Sequence, residues 1–341
     1  MFYDSSTLRE IRELKEPSKL FEILTQPDRR GDSPYWTDIW HAIQHYRDFN
    51  CKSNSEYFLD ITRIQEIEKF GLDYSYRDAA GNNFLHYIMG LSLSRSQDKR
   101  VKEPVLSEAV KQYVIDNTKN IWAPNNYNRN ILFELLSYSS AGIKGENFIN
   151  YISIYPELDI HIIDSSGRNL MFQALMNPAP FPLINYLIDE GLSLKQVDNQ
   201  GFTLLHMFFS FNKGKEAENI FDKIFESVDN IAHKNRYKEA FIEHFLNCVH
   251  DKDVHQNHQK KYNFWINKSL TKIINGEFNK TRESLEGMIK ILEDHKKDYQ
   301  LHAVDKNCLR YQSAIKALNY FLLDMDVSHK IDKKTNSKLK I

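Results

Sequence analysis

Six side chains able to take part in metal or proton chemistry fall within eleven residues, in the run Cys248-Val-His250-Asp251-Lys252-Asp253-Val-His255-Gln-Asn-His258. A thiol, imidazoles and carboxylates are ligands that transition metals accept. The spacing reproduces no specific zinc motif, however, and the Lys252 ammonium in its middle repels a cation. A solvated linker between helices is therefore expected. His41 and His45 stand four apart on an expected helix, a chelating interval, but Ala42 occupies the Glu position of H-E-x-x-H. Cys308 offers a thiol nucleophile with no neighbour in sequence that would activate its thiolate, so a buried structural cysteine is expected. Neither G-x-x-x-x-G-K-[ST] nor G-x-G-x-x-G occurs. These residues lead to no assigned catalytic residue, metal or cofactor.

Two further histidines and two arginines belong to a recurring frame. It is clearest in Asp198-Asn-Gln-Gly201-Phe-Thr203-Leu-Leu205-His206. The same frame occurs at Asp78-Ala-Ala-Gly81-Asn-Asn83-Phe-Leu85-His86 and at Asp164-Ser-Ser-Gly167-Arg-Asn169-Leu-Met171-Phe172. A worn copy runs Asn125-Asn-Tyr-Asn128-Arg-Asn130-Ile-Leu132-Phe133. An Asp or Asn side chain accepts backbone amides in a tight turn, and three residues later Gly, or failing it Asn, supplies a left-handed backbone. The polar column Asn83, Asn130, Asn169 and Thr203 suits a helix N-cap. Leu85, Leu132, Met171 and Leu205 should be buried between neighbouring units. Tyr35 fills the Gly position of an earlier candidate frame starting at Asp32. Starts at residues 32, 78, 125, 164 and 198 are separated by 46, 47, 39 and 34 residues, so the segments 92–100 and 137–145 are expected as polar insertions.

The D-x-x-G-x-T-x-L-H pattern over residues 32–228 resembles the ankyrin-repeat family, whose period is roughly 33 residues. The resemblance implies an all-α fold: an ankyrin-repeat solenoid of about four to five divergent repeats, with a helical N-terminal cap in 1–31 and a C-terminal helical region in 229–328. A flexible basic tail over 329–341 completes that division. Phe84, Ile131, Leu170 and Leu204 replace the Pro usual after the polar cap. The family's use of such a stack implies protein binding, and its register places Tyr127, Arg129, Tyr138, Arg168, Asn177, Gln200, Phe202 and Phe211 toward a partner. The aromatic residues are expected as anchors, and Arg129 and Arg168 as guides for an acidic side chain of the partner rather than a nucleotide. It also implies that His86 and His206 bond neighbouring turns rather than substrate. From Asp229 onward the Asp-x-x-Gly frame stops while helical patterning continues.

Lys plus Arg number 45 against 46 Asp plus Glu, a formal charge of −1, which removes a global drive toward nucleic acid or an anionic membrane. Three distant cysteines encode no disulfide framework. No apolar run approaches the roughly 20 residues of a membrane span, and Met1-Phe-Tyr-Asp-Ser-Ser does not begin a conventional signal peptide. A cytoplasmic monomer is expected. Abundant Lys, Asn, Ile and Tyr resemble proteins of AT-rich bacterial genomes, whose ankyrin proteins are often delivered into host cells as effectors. The leading expectation is therefore a noncatalytic adaptor, in one form an effector that binds a host protein. A catalytic or toxin-like C-terminal helical region delivered by the repeats, and an immunity or antitoxin protein, are the alternatives.

Overall fold

In the computed structural model, which describes residues 3–51, 61–91, 108–118, 120, 122–137, 149, 152–153, 155–177, 179–210, 214–250, 256–300 and 306–338, the frames close by one set of hydrogen bonds. At Asp198 the backbone amide donates to Phe202 O (2.9 Å) and Gly201 N donates to Asp198 O (2.9 Å). The carboxylate Oδ1 accepts from Gln200 N at 2.9 Å and Phe202 N at 2.8 Å. The same bonds recur at Asp78 and Asn125. The fourth residue needs positive φ: Gly81 has +77°, Gly167 +79°, Gly201 +78° and Asn128 +54°. Gly201 has a second constraint, since a Cβ there would lie 2.9 Å from Asn235 Cα.

Two turns differ from the sequence expectation. The first frame begins at Asp28 rather than Asp32. Asp28 N donates to Asp32 O, Asp28 Oδ1 accepts from Arg30 N and Asp32 N, and Gly31 at φ +83° fills the left-handed position assigned to Tyr35. The frame also continues beyond Asp229. Asn235 accepts from Tyr237 N (2.9 Å) and Glu239 N (3.2 Å), its amide donates to Glu239 O, and Lys238 adopts φ +64°. Asn in place of Asp and Lys in place of Gly conceal this copy from the motif.

Successive turns are joined backbone to backbone. Asn126 N donates to Ala80 O (2.9 Å), Ser165 N to Tyr127 O (2.8 Å), Asn199 N to Ser166 O (2.8 Å) and Arg236 N to Gln200 O (2.7 Å). Each bond satisfies a donor and an acceptor that a lone turn would leave to water.

The chain divides into two compact units, residues 1–165 and 166–341. The first contains α1 (Ser5–Glu13), α2 (Leu20–Leu24), α3 (Trp36–Cys51), α4 (Ile61–Glu68), α5 (Phe84–Leu91), α6 (Glu108–Asn117) and α7 (Ile131–Ser137). Asp4 caps α1 by accepting from Thr7 N at 2.9 Å, and Pro17 opens the 3-10 turn that leads into α2. Trp36 on α3 packs on Phe84 of α5 with ring centroids 5.0 Å apart. Ile39, Leu85, Ile88, Leu132 and Phe133 complete a fully buried interior.

The second unit contains α8 (Leu170–Met176), α9 (Phe181–Asp189), a 3-10 helix (Leu204–Ser210), α10 (Lys215–Ser227), α11 (Phe241–His250), α12 (Gln256–Asn275), α13 (Arg282–Gln300) and α14 (Lys306–Lys338). Its core is aromatic: Phe208, Phe221, Phe225, Phe241, Phe245 and Trp265 are all buried. Trp265 stacks on Phe221 at 5.0 Å and meets Phe208 edge-on at 5.2 Å. This ties α10 and α12 to the 3-10 helix. Tyr311, Ala314 and Leu318 supply the buried stripe of α14. The described residues are all-α apart from an isolated bridge between Val197 and Thr203. None of their helices is long and apolar enough to cross a membrane.

Candidate functional site

The turns hold their inner helices with the polar column after each frame. Asn83 Oδ1 accepts from His86 N (3.1 Å), Asn130 Oδ1 from Leu132 N (3.1 Å) and Asn169 Oδ1 from Phe172 N (3.3 Å). Ala240 occupies this position before α11 and has no side-chain acceptor. Glu243 compensates by reaching back, its Oε2 accepting from Ala240 N at 2.7 Å, which is the reciprocal half of a capping box.

Both frame histidines latch a turn to the next. His86 Nε2 lies 3.2 Å from Arg129 O, and His206 Nε2 lies 3.4 Å from Glu239 O. A carbonyl only accepts, so Nε2 carries the proton in each. At His206 the other nitrogen accepts from Thr203 N at 3.1 Å and lies 2.9 Å from the Thr203 hydroxyl. Burial is the main reason both imidazoles are pushed down to about 4. These rings are neutral structural latches near neutral pH.

Arg129 and Arg168, expected to meet a partner, are each engaged by the following turn. Arg129 Nε and Nη2 donate to Asp164 Oδ2 at 2.9 and 2.7 Å. Arg168 Nε donates to Asp198 Oδ2 at 2.8 Å, and the Asp198 side chain is 0% exposed. At the matching place one turn earlier the pair is neutral, with Asn125 Nδ2 donating to Asn82 Oδ1 at 2.8 Å. One turn later Phe202 precedes Asn235. In the turns beginning at Asp78, Asn125, Asp164 and Asp198 the fifth residue thus matches the charge of the next turn's first residue: Arg where that residue is Asp, a neutral side chain where it is Asn; the first turn, with Asp32 ahead of Asp78, does not follow this pattern.

Of the other expected partner-facing residues, Tyr127 stands at a turn tip and is 53% exposed. Gln200 and Phe202 are half-buried on one turn, and Asn177 is half-buried at the C-terminus of α8. Tyr138 and Phe211 lie outside the described residues, as do Asp251, Asp253 and His255 and the side chains of His45, Cys248, His250, His258 and Cys308. His41 is exposed on α3.

The structure adds residues that the motif does not reveal. Tyr237, at the same turn position as Tyr127, is 58% exposed. Its ring lies 6.1 Å from that of Phe202, which also faces His244 at 6.4 Å and His206 at 5.4 Å. Arg236 lies over Tyr237 at 4.7 Å. Glu239 accepts from Asn247 at 2.7 Å and lies 3.1 Å from His244 Nδ1. Lys238 is exposed with its left-handed backbone, a conformation that costs a residue with a side chain about 1 kcal/mol relative to Gly.

No family model matches the chain, and no curated protein is significantly similar to it.

A charged cleft of about 410 Å³ is lined by Glu218, Asp222, Lys268, Lys272, Glu277 and Arg310 among others. Lys268 lies 3.0 Å from Asp222 and 3.4 Å from Glu218, while Lys272 lies 2.7 Å from Glu226 and 2.9 Å from Glu277. Burial lowers the Lys272 pKa, but hydrogen bonds to Glu226 and Glu277 and the charge of Asp222 outweigh it, and the net shift is upward. A lysine held charged in this way ties α10 to α12 and is a poor proton acceptor or nucleophile.

Proposed function

We propose that the chain is a divergent ankyrin-repeat protein that binds another protein, without catalysis, through its turn tips and the adjoining faces of its inner helices. The observation that carries this reading is the repeated turn, with the same internal hydrogen bonds at Asp28, Asp78, Asn125, Asp198 and Asn235 and backbone bonds linking successive turns. Architecture of this kind is assembled from nearest-neighbour contacts, which leaves the tips free to vary. Tyr127 and Tyr237 are large aromatic side chains presented to solvent at those tips, and aromatic side chains are frequent anchors of protein interfaces. The Arg129 and Arg168 guanidiniums belong to the turns' own ion pairs in this reading, and the tyrosines carry the recognition. In its effector form, suggested by the composition, the partner is a host protein.

The test is affinity capture with mass spectrometry, followed by titration of the recovered partner against wild type, Tyr127→Ala and Tyr237→Ala. Both tyrosines are more than half exposed, so the variants should fold as wild type does. A partner whose affinity falls at least about tenfold with either change, roughly 1.4 kcal/mol, supports the tips as the interface. A partner held equally by all three proteins would remove the tips from recognition.

A further inference from the structure

The turn at Asn235 departs from its siblings in two ways that point in one direction. Its left-handed position holds Lys238 at φ +64°, where the other turns use Gly or Asn. Its tip reads Lys234-Asn-Arg236-Tyr237-Lys238, against Asn199-Gln200-Gly201 one turn earlier. Lys234, Arg236, Tyr237 and Lys238 are all exposed. Lys234 is neutralised by Glu243 at 3.2 Å. Among the described residues neither Arg236 nor Lys238 has a carboxylate within ion-pair distance. A strained backbone that carries a charge where Gly would relieve the strain is the sort of outlier from which a functional role is inferred.

We propose that this tip is a docking point for an acidic polypeptide segment, with Arg236 and Lys238 receiving carboxylates on either side of an apolar side chain that packs on Tyr237 and Phe202. The proposal rests on the protein-binding reading above and names the chemistry of the partner. Arg236 is held over the Tyr237 ring at 4.7 Å, which fixes the cation beside the aromatic surface, and a planar guanidinium takes a carboxylate by paired hydrogen bonds. The surroundings favour discrete carboxylates over a polyphosphate chain. Glu239 stands one residue beyond Lys238 and Glu243 is paired with Lys234, so a nucleic-acid backbone tracking across the tip would meet two negative groups.

The test is a random peptide library selected on the immobilised full-length chain and, in parallel, on an Arg236→Ser/Lys238→Gly variant. These changes leave the Arg236 backbone bond to Gln200 in place and relieve the left-handed position, so the variant's thermal midpoint should equal or exceed that of wild type. Wild type should enrich peptides in which Asp or Glu flanks an aromatic or Leu residue. A selected peptide should bind the variant at least about tenfold more weakly and lose affinity in high salt. Equal acidic enrichment by the two proteins, or none by wild type, overturns the proposal. Peptides without acidic bias that are lost on Tyr237→Ala would overturn the acidic partner yet leave the protein-binding reading standing. A single-stranded oligonucleotide bound by wild type and released by the variant would assign the tip to phosphate and overturn the proposal as well.

Discussion

The matched charges between turns make a quantitative claim about single residues. Asp198 has a side chain that is 0% exposed and spends Oδ1 on two backbone amides, leaving Oδ2 to Arg168. Removing the arginine leaves a buried carboxylate without its counter-charge, a change that typically costs about 3–5 kcal/mol. Arg168→Phe should therefore be strongly destabilising, toward the lower end of that range because the Arg168 side chain is 18% exposed. The chain itself contains the compensated form, since Phe202 precedes Asn235. Arg168→Phe/Asp198→Asn should recover much of the loss, giving a coupling energy of roughly 1–3 kcal/mol in a double-mutant cycle measured by urea unfolding. Additive single effects would mean that charge matching between turns is incidental.

At the scale of elements, the sequence makes plain those turns that keep Asp and Gly, and hides those that replace them. The frames at Asp78, Asp164 and Asp198 are legible because the side-chain acceptor and the left-handed residue are both of preferred type. The Asn235 turn is not, since Asn supplies the same acceptor oxygen while Lys238 meets the backbone demand at an energetic cost that no motif records. The first turn lies four residues before the position its sequence suggests, because Thr37, Ile39, Trp40 and Ala42 fall at the offsets expected from Asp32, whereas Gly31 dictates the turn. Exposure was the least legible property. Arg129 and Arg168 look like recognition residues until the next turn's carboxylate is seen beside them, whereas Tyr237 becomes a candidate only once its turn is recognised. The helix after that hidden turn offers a direct check. Glu243→Ala removes the acceptor that reaches back to Ala240 N and should lower stability by about 1 kcal/mol. Glu243→Gln keeps an acceptor and should lose less. Chemical denaturation of the two variants separates this cap from the exposed ion pair with Lys234, which Gln also removes. Equal losses would assign the effect to the ion pair.

The whole molecule should respond to acid through its histidine latches, one in each compact unit. His86 and His206 are lowered to about 4 in the folded chain, against roughly 6.5 for a histidine in an unfolded one. Between those values the unfolded chain binds the protons first, so stability is complete above pH 6.5 and is lost as the pH falls toward 4. A shift of that size corresponds to about 3 kcal/mol for each latch when fully expressed. The two should not titrate alike. Thr203 N donates to His206 Nδ1, so a proton there must displace that bond and turn to the Thr203 hydroxyl at 2.9 Å, whereas His86 Nδ1 faces Asn83 Oδ1 at 2.6 Å, an oxygen that accepts one directly. His86 should therefore take up its proton at the higher pH of the two, by imidazole resonances followed in an NMR titration. Unfolding free energy measured from pH 7 to pH 4 should fall throughout, and less steeply in a His206→Gln variant. A variant and wild type with parallel pH profiles would show that the second unit's acid sensitivity lies outside this latch, and would return His206 to a packing role alone.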